Sequence, residues 1–393
     1  MSGPLKELKI LDFTTLLPGP YATMILADMG ADVLRVVSRS RPDVVAFIPP
    51  FVQGTKISSA FAYLGRGKRC IALNLKDDRA IRIIHQLLAD YDIVIEQFRP
   101  GVMAKFCLDY ESLKKVKSSL IYCSLTGYGQ TGPLRDRAGH DINYLSRSGL
   151  MSYSGKKATG PSLTGMQIAD VASGSNNAVI GILAAVVDRN KTGKGQYIDI
   201  SMTDGMIAFN AMFGAGFLAN GKDLGREETL LNGGSLYDFY ETKEGQYISF
   251  GGLEPQFFSA FFKVLDLPEL IPGGVQPPDV ENVKKRIREV FKTKTREEWM
   301  EIFQKVDACV EPVLSLTEAL NDTLAVERGM VIDVDLPERK KVRQLACPIK
   351  FSETKLEYKR AGVPPGEHTK EVLLELGYSE EEIETFDKTG LFS

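Results

Sequence analysis

The sequence predicts an α/β protein: a doubly wound parallel sheet accompanied by a smaller α+β domain. Three observations carry this. The chain opens on a strand-like run, a helical stretch and a second strand-like run, the βαβ unit from which parallel sheets are built. Strand-like and helical segments then alternate as far as residues 197–201. From about Arg226 the character changes to short strands and turns followed by three helical segments. A chain of 393 residues has room for both domains and for a large buried core.

The elements follow in order. Residues 8–13 are β-like; Leu17-Pro18-Gly19-Pro20 leads into helical spacing over 21–29, stopped by Gly30, and 31–37 form a second strand. The first turn reads PGP rather than GxGxxG, so it lacks the glycines that let backbone approach a pyrophosphate. A nicotinamide or flavin dinucleotide is therefore not expected, and the P-loop pattern is also missing. Residues 39–60 read as irregular loop. Strands are expected over 70–75, 91–97 and 120–125, with a helix over about 78–88 and another before 120. The third of these strands runs into Thr126-Gly127-Tyr128-Gly129-Gln130-Thr131-Gly132-Pro133. Residues 170–188 carry small residues and then a nearly continuous apolar run, a helix with Asp170 at its head. Residues 197–201 form a strand, and 203–218 look helical with three glycines. Beyond 226, strands at 236–240 and 245–250 precede helices near 256–265, 283–292 and 297–306. Residues 1–225 with 331–393 are thus assigned to the large domain and 226–330 to the small one. Residues 331–360 read as mixed strand and loop.

Hydrophobic residues at 44% and charged residues at 25% are ordinary for a soluble globular protein. Lys and Arg total 48 against 51 Asp and Glu, a net charge of −3, so no bulk charge argues for nucleic acid. Local basic clusters remain suited to a phosphate-bearing small molecule. The five cysteines are odd in number and widely spaced, without CxxC or Cys/His ligand spacing, so neither zinc nor a disulfide framework is indicated. No leader pattern opens the chain and no apolar run approaches the length of a span, so a reduced, cytoplasmic protein away from membranes is expected.

Among His85, His140 and His368, only His140 sits among Gly, Pro and polar residues, in Ala138-Gly139-His140-Asp141-Ile142-Asn143-Tyr144. With Asp170 downstream it supplies two titratable groups suited to one substrate carbon. Asp170 serves equally well as a helix N-cap or first-turn residue, and His140 as a structural histidine. Arg69, Arg99 and Lys105 fall near strand ends, where open α/β sheets bind ligands, and point to an anion; as single residues they read equally as solvated surface charge.

Several stretches resemble family III CoA-transferases (the CaiB/BaiF type): Leu11-Asp12-Phe13 with Pro18-Gly19-Pro20, residues 26–33 (LADMGADV), 126–133, 181–185 (GILAA) and Gly366-Glu367-His368-Thr369. The resemblance covers nearly the whole chain. Within it the sequence is most similar to the α-methylacyl-CoA racemase branch, on Gly139-His140-Asp141-Ile142-Asn143-Tyr144, Leu253-Glu254-Pro255-Gln256-Phe257 and residues 307–314 (DACVEPVL). The resemblance implies a large Rossmann-like domain, a smaller domain, and an interlocked homodimer with shared active sites. It implies His140 and Asp170 as two bases, with Glu254 supporting the histidine across the interface. It implies a CoA pocket that includes Ala72 and Arg99, with Arg69 and Lys105 as neighbours. Where the family often has a basic residue after the second strand, this chain has Ser38, leaving Arg35, Arg39 or Arg41 to substitute. Transferases of the family usually have Tyr or Phe where His140 stands, and formyl-CoA transferases have a glutamine where this chain has Leu17 and a longer glycine-rich loop where it has Gly251-Gly252-Leu253-Glu254.

The chemistry suits these residues. Inverting C2 of a 2-methylacyl-CoA thioester removes the α-proton and returns one to the opposite face, which takes two acid/base groups flanking the carbon. The carbonyl carries the enolate charge if donors such as helix-start amides face it. An Asp170 in apolar surroundings has its pKa raised towards the working range, and histidine as a residue type ordinarily titrates there. No metal or prosthetic group is expected; coenzyme A enters as part of the acyl-CoA substrate and supplies remote binding energy. The other reading is a CoA-transferase with Asp170 as a nucleophile that forms anhydride and thioester intermediates. Met151, Met166, Met202, Met206 and Phe213 are candidates for an adaptable acyl surface, and equally for plain core.

Overall fold

The computed structural model describes residues 3–336 and 341–393. By contacts the chain divides into two compact units, one of Met1–Leu145, Met166–Ile207 and Leu324–Ser393, the other of Ser146–Gly165 and Ala208–Thr323. The boundaries expected near 225 and 330 stand beside breaks at 207 and 323, and the stretch 146–165 packs with the second unit.

The first unit is built on six strands: β1 (Lys9–Phe13), β2 (Asp32–Val37), β3 (Arg69–Ala72), β4 (Ile93–Glu96), β5 (Ile121–Thr126) and β6 (Tyr197–Ser201). All neighbours are parallel, in the order β3-β2-β1-β4-β5-β6. This is the doubly wound Rossmann order, with a topological switch between β1 and β4. Helices must therefore cover both faces, which is why the central strands are buried throughout. Helix α1 (Pro18–Asp28) follows β1, its prolines at the first helical positions, where a missing N–H costs nothing. The helix Asp78–Leu87 buries Ala80, Ile83, Ile84 and Leu87, the stripe its periodicity predicts. The stretch 39–60 is less irregular than expected: it holds a 3₁₀ turn (Val44–Phe47) and the start of the helix Ser59–Leu64.

A buried polar network anchors the turn after β1. Asp12 is fully buried; its carboxylate accepts from the Thr14 amide and hydroxyl, the Thr23 hydroxyl and, at 3.3 Å, the Lys68 ammonium. Lys68 also donates to the Pro20 carbonyl at 2.8 Å. Arg35, buried beside them, donates to the Thr14 carbonyl and to Asp43, whose carboxylate also takes the Leu16 amide. The residues 14–20 are thus fixed at several backbone groups in succession.

The outer edge of β3 has no strand beside it. Residues of the Gly366-Glu367-His368-Thr369 stretch satisfy it instead: Cys70 N–H donates to His368 Nδ1 and His368 N–H to the Cys70 carbonyl, while Ala72 N–H donates to the Thr369 hydroxyl.

The second unit holds an antiparallel sheet of β7 (Asp238–Glu241), β8 (Tyr247–Phe250) and β9 (Val310–Pro312). Its core is aromatic, with Phe250 and Phe261 stacked at 3.8 Å and Phe291 packed on Trp299. The stretch 203–218 is two helices rather than one, Met202–Ala208 and Ala211–Asn220, broken where Ala211 takes a φ of 42°. Residues 331–360 hold two paired strands, β10 (Val331–Asp335) and β11 (Lys341–Leu345), and loop; residues 337–340 lie outside the described ones.

The helical stretch Ala169–Thr192 is long and apolar enough to cross a membrane by length and composition. In this structure Ala178, Val179, Ile182 and Ala185 are buried along it.

Removing Lys68 leaves Asp12 buried with one cation fewer. Lys68→Ala is expected to cost about 3–5 kcal/mol of stability, measured by urea unfolding followed by circular dichroism.

Candidate active site

Open α/β sheets offer a crevice at the carboxyl end of the switch point, and here the flanking chains meet there. The Gly19 amide at the start of α1 donates to Gln97 Oε1, just beyond β4, at 3.0 Å. Ser175 donates to the Pro18 carbonyl at 2.7 Å, which brings the segment Ala169–Ser175 against the same helix start. That segment is π-helical and continues into the helix Asn176–Thr192. Single π turns inside α-helices occur often where a side chain must be re-aimed, and Asp170 is its second residue.

His140 precedes the helix Asp141–Arg147, and its backbone is fixed by that helix: its amide donates to Asn143 Oδ1 and its carbonyl accepts from the Asn143 and Tyr144 amides. Tyr144 locks the approach. Its hydroxyl donates to the Gly139 carbonyl at 2.5 Å and its ring lies edge-on to Tyr128, centroids 5.2 Å apart. The ring also explains two glycines, since a Cβ at Gly127 would lie 2.3 Å from it and one at Gly139 2.7 Å. The Thr-Gly-Tyr-Gly and Gly-His-Asp motifs therefore pack around one tyrosine.

Asp141 joins the histidine to the aspartate. One of its carboxylate oxygens accepts both the Ala169 amide, at 2.6 Å, and the Asp170 amide, at 3.1 Å. A carboxylate on the first amides of a helix neutralises unpaired donors and meets the positive end of the dipole. The backbones of His140 and Asp170 are thereby held by residues of one short helix, Asn143 and Tyr144 for the first and Asp141 for the second. The same contact corrects an expectation: the amides at this helix start are taken by Asp141, and that of Val171 by the Gln167 carbonyl, so a thioester oxygen needs other donors.

The Asp170 carboxyl is half-buried and its pKa is pushed up to about 6, by desolvation first and by the Asp141 charge second, with His140 acting in the opposite sense. His140 is exposed and close enough to Asp170 to act on it electrostatically. Such a carboxyl exchanges protons in the neutral range, as a group that is base in one direction and acid in the other must.

The phosphate-binding candidates separate into two groups. Arg39, Ala72, Arg99 and Lys105 follow or end β2, β3 and β4 at their carboxyl ends, with Arg99 and Lys105 exposed and Ala72 buried. Arg39 lies against Gly366, and its guanidinium is 4.0 Å from Asp387. Arg69 begins β3 at the opposite end, where Asp32, Glu371, Glu375 and the Tyr91 hydroxyl engage its guanidinium. Arg35 is buried on Asp43 and the Thr14 carbonyl, which leaves Arg39 and Arg41 to stand in for the basic residue missing at Ser38. Among the candidate acyl residues, Met202 and Met206 are core, whereas Met166 is exposed. Glu254, in the second unit, caps the helix Pro255–Val264, is exposed and acts electrostatically on Cys309.

Residues 5–369 match the family described as CoA-transferase family III. The chain belongs to that family. Among its family III relatives, it is 35% identical over 382 residues to human alpha-methylacyl-CoA racemase, covering 96% of this chain and 95% of that protein. It is 34% identical over 401 residues to mouse succinyl-CoA:glutarate CoA-transferase, covering 99% and 90%. A crystal structure of a CaiB/BaiF family protein from Brucella suis shares 29% identity and superposes with a TM-score of 0.84, over 96% of this chain and 100% of that one. Racemases and transferases thus stand at similar identity, and the family alone does not decide the reaction.

The sequence shows Asp141 beside His140 but gives no sign of its partner, because the Ala169 amide lies 28 residues away and leaves no local signal. Asp141→Asn keeps an acceptor for the two amides and removes the charge, so the Asp170 midpoint is expected to fall below about 6 in a ¹³C-carboxyl NMR titration. Asp141→Ala removes the acceptor too and is expected to cost about 1–2 kcal/mol in chemical unfolding.

Proposed function

We propose that this family III protein is an acyl-CoA racemase that inverts C2 of 2-methyl-branched acyl-CoA thioesters, with His140 and Asp170 as the paired acid/base groups. The observation that carries this reading is the Asp141 clamp, which ties the segment bearing the Asp170 carboxyl of raised pKa, through its Ala169 and Asp170 amides, to the residue next to the exposed His140. In one direction Asp170 takes the α-proton, the thioester becomes an enolate, and His140 returns a proton to the opposite face; the reverse direction exchanges the roles. A carboxyl with a pKa of about 6 is a competent partner in both. Glu254 supports His140 in this reading, and Arg39, Ala72, Arg99 and Lys105 receive the CoA portion, with Arg69 the least suited by position.

The second reading is a CoA-transferase, favoured by the glutarate CoA-transferase relative at 34% identity. There Asp170 attacks the thioester and releases CoA thiolate as an anhydride forms; the thiolate then attacks the aspartyl carbonyl of the anhydride, expelling the acyl group as a carboxylate and leaving an aspartyl-CoA thioester.

We further propose an interlocked homodimer. The apolar helix Ala211–Asn220 has no buried residue in the single chain, with Met212 63% and Leu218 84% exposed, so it calls for a covering surface. We place the protein in the reducing cytoplasm, which suits its five free thiols.

In D₂O, a 2-methylacyl-CoA of one configuration should take up deuterium at C2 and yield the other epimer with no acceptor acid present, as followed by NMR. His140→Ala and Asp170→Asn are each expected to slow this by at least about a hundredfold. No exchange, with CoA instead found covalently held at Asp170 by mass spectrometry, would assign the transferase reading.

A further inference from the structure

Glu96 ends β4 and is 4% exposed, yet the His140–Asp170 arrangement does not use it. Its side chain turns back on its own strand exit. Oε2 accepts the Phe98 amide at 2.7 Å, and Oε1 meets the Ser124 hydroxyl in a short hydrogen bond. In the sheet register Glu96 lies beside Ser124 of β5, and Ser124 beside Asp199 of β6, so the three side chains share one face in a row across the carboxyl edge. Asp199 repeats the device: its two oxygens take the Gln130 amide at 3.2 and 3.0 Å. One amide belongs to the exit loop of β4, which carries Arg99; the other belongs to the loop that leads from β5 to His140.

The titratable groups on the Glu96 face are Tyr122 on β5 and Tyr197 and Asp199 on β6, while Cys123, on the opposite face of β5, interacts with it electrostatically. All are acids, and among the described residues no cation acts appreciably on its carboxyl. A buried carboxylate without a cation is costly, and burial, reinforced by Asp199, pushes its pKa up to about 7. The Ser124 hydroxyl donates to Oε1; when that oxygen takes the proton the bond reverses, while Oε2 still receives the Phe98 amide. The next residue, Gln97, holds the Gly19 amide, so the β4 exit is fixed at two successive side chains.

We infer that Glu96, hydrogen-bonded between Ser124 and the Phe98 amide, is a positioning residue for the CoA end of the substrate, acting through the loop that presents Arg99. The inference rests on the proposed reading of this edge as the acyl-CoA site. Glutamine reproduces the protonated geometry, an N–H towards Ser124 and a carbonyl towards Phe98, whereas alanine removes both contacts.

Calorimetric titration with free CoA tests this, independently of which reaction the protein runs. At about pH 6, Glu96→Ala is expected to weaken CoA binding about fivefold or more, and Glu96→Gln to stay within about twofold of wild type. Towards about pH 8.5 ionised Glu96 still accepts from Ser124 and from the Phe98 amide, so Glu96→Ala should remain the weaker binder there as well. Stability gives the same comparison without a destabilised variant. The acid titrates at 4.5 unfolded and about 7 folded, so wild-type stability falls as pH rises through that window and the melting temperature of Glu96→Gln should gain on it. Wild-type CoA affinity in Glu96→Ala, equal losses in both variants, or a melting difference flat with pH would overturn the inference. Unchanged CoA affinity in Arg99→Ala would instead overturn the reading of the edge, and the inference with it.

Discussion

A carboxylate with no exposed surface, Asp12, sets the geometry of the carboxyl edge of the sheet. It stands one residue before the end of the first strand, beside the switch point, and gathers Thr14, Thr23 and Lys68 around itself. Lys68 in turn holds the Pro20 carbonyl, and Arg35 the Thr14 carbonyl, so the loop into α1 has little freedom. The Pro18 carbonyl then receives Ser175, and through it the segment that carries Asp170. A chain of buried polar contacts thus runs from the sheet to the proposed reacting carboxyl, and low dielectric raises the stakes of every link.

The architecture was readable because its signals are local. Strands at 8–13, 31–37 and 120–125 and the helix at 78–88 appear within two or three residues of their expected ends, since apolar periodicity and Pro/Gly punctuation act over a few residues. The 203–218 stretch was read as one helix because no residue there forbids it; the break comes from Ala211 adopting a positive φ. At the site, residue types were legible and partnerships were not. His140 and Asp170 stand out by composition, yet Asp141's grip on residues 169 and 170 spans 28 positions or more. Arg69 and Arg99 look alike in sequence, each beside a strand, but one lies at the amino end among carboxylates and the other at the carboxyl end. Strand direction, which only the assembled sheet defines, separates them.

Family III is informative about how one carboxyl serves two chemistries. An aspartate that attacks a thioester benefits from being charged and unhindered, whereas one that shuttles a proton benefits from a pKa near neutrality. Here burial and the neighbouring Asp141 both disfavour the charged form of Asp170, and the exposed His140 acts in the opposite sense. Under the racemase reading proposed above, the surroundings of the aspartate, more than its identity, favour proton transfer.

The edge of β3 has a consequence for how the protein is made. Its hydrogen-bonding partners are residues 366–369, almost three hundred positions later in the chain. A polypeptide emerging from the ribosome can pair β1, β2 and β3 early, but the flank of that sheet stays open until residues 366–369 have been synthesised. For that interval an unpaired strand edge is available to other nascent chains. Speed of completion, or a chaperone that shields this flank, therefore bears on the yield of folded protein.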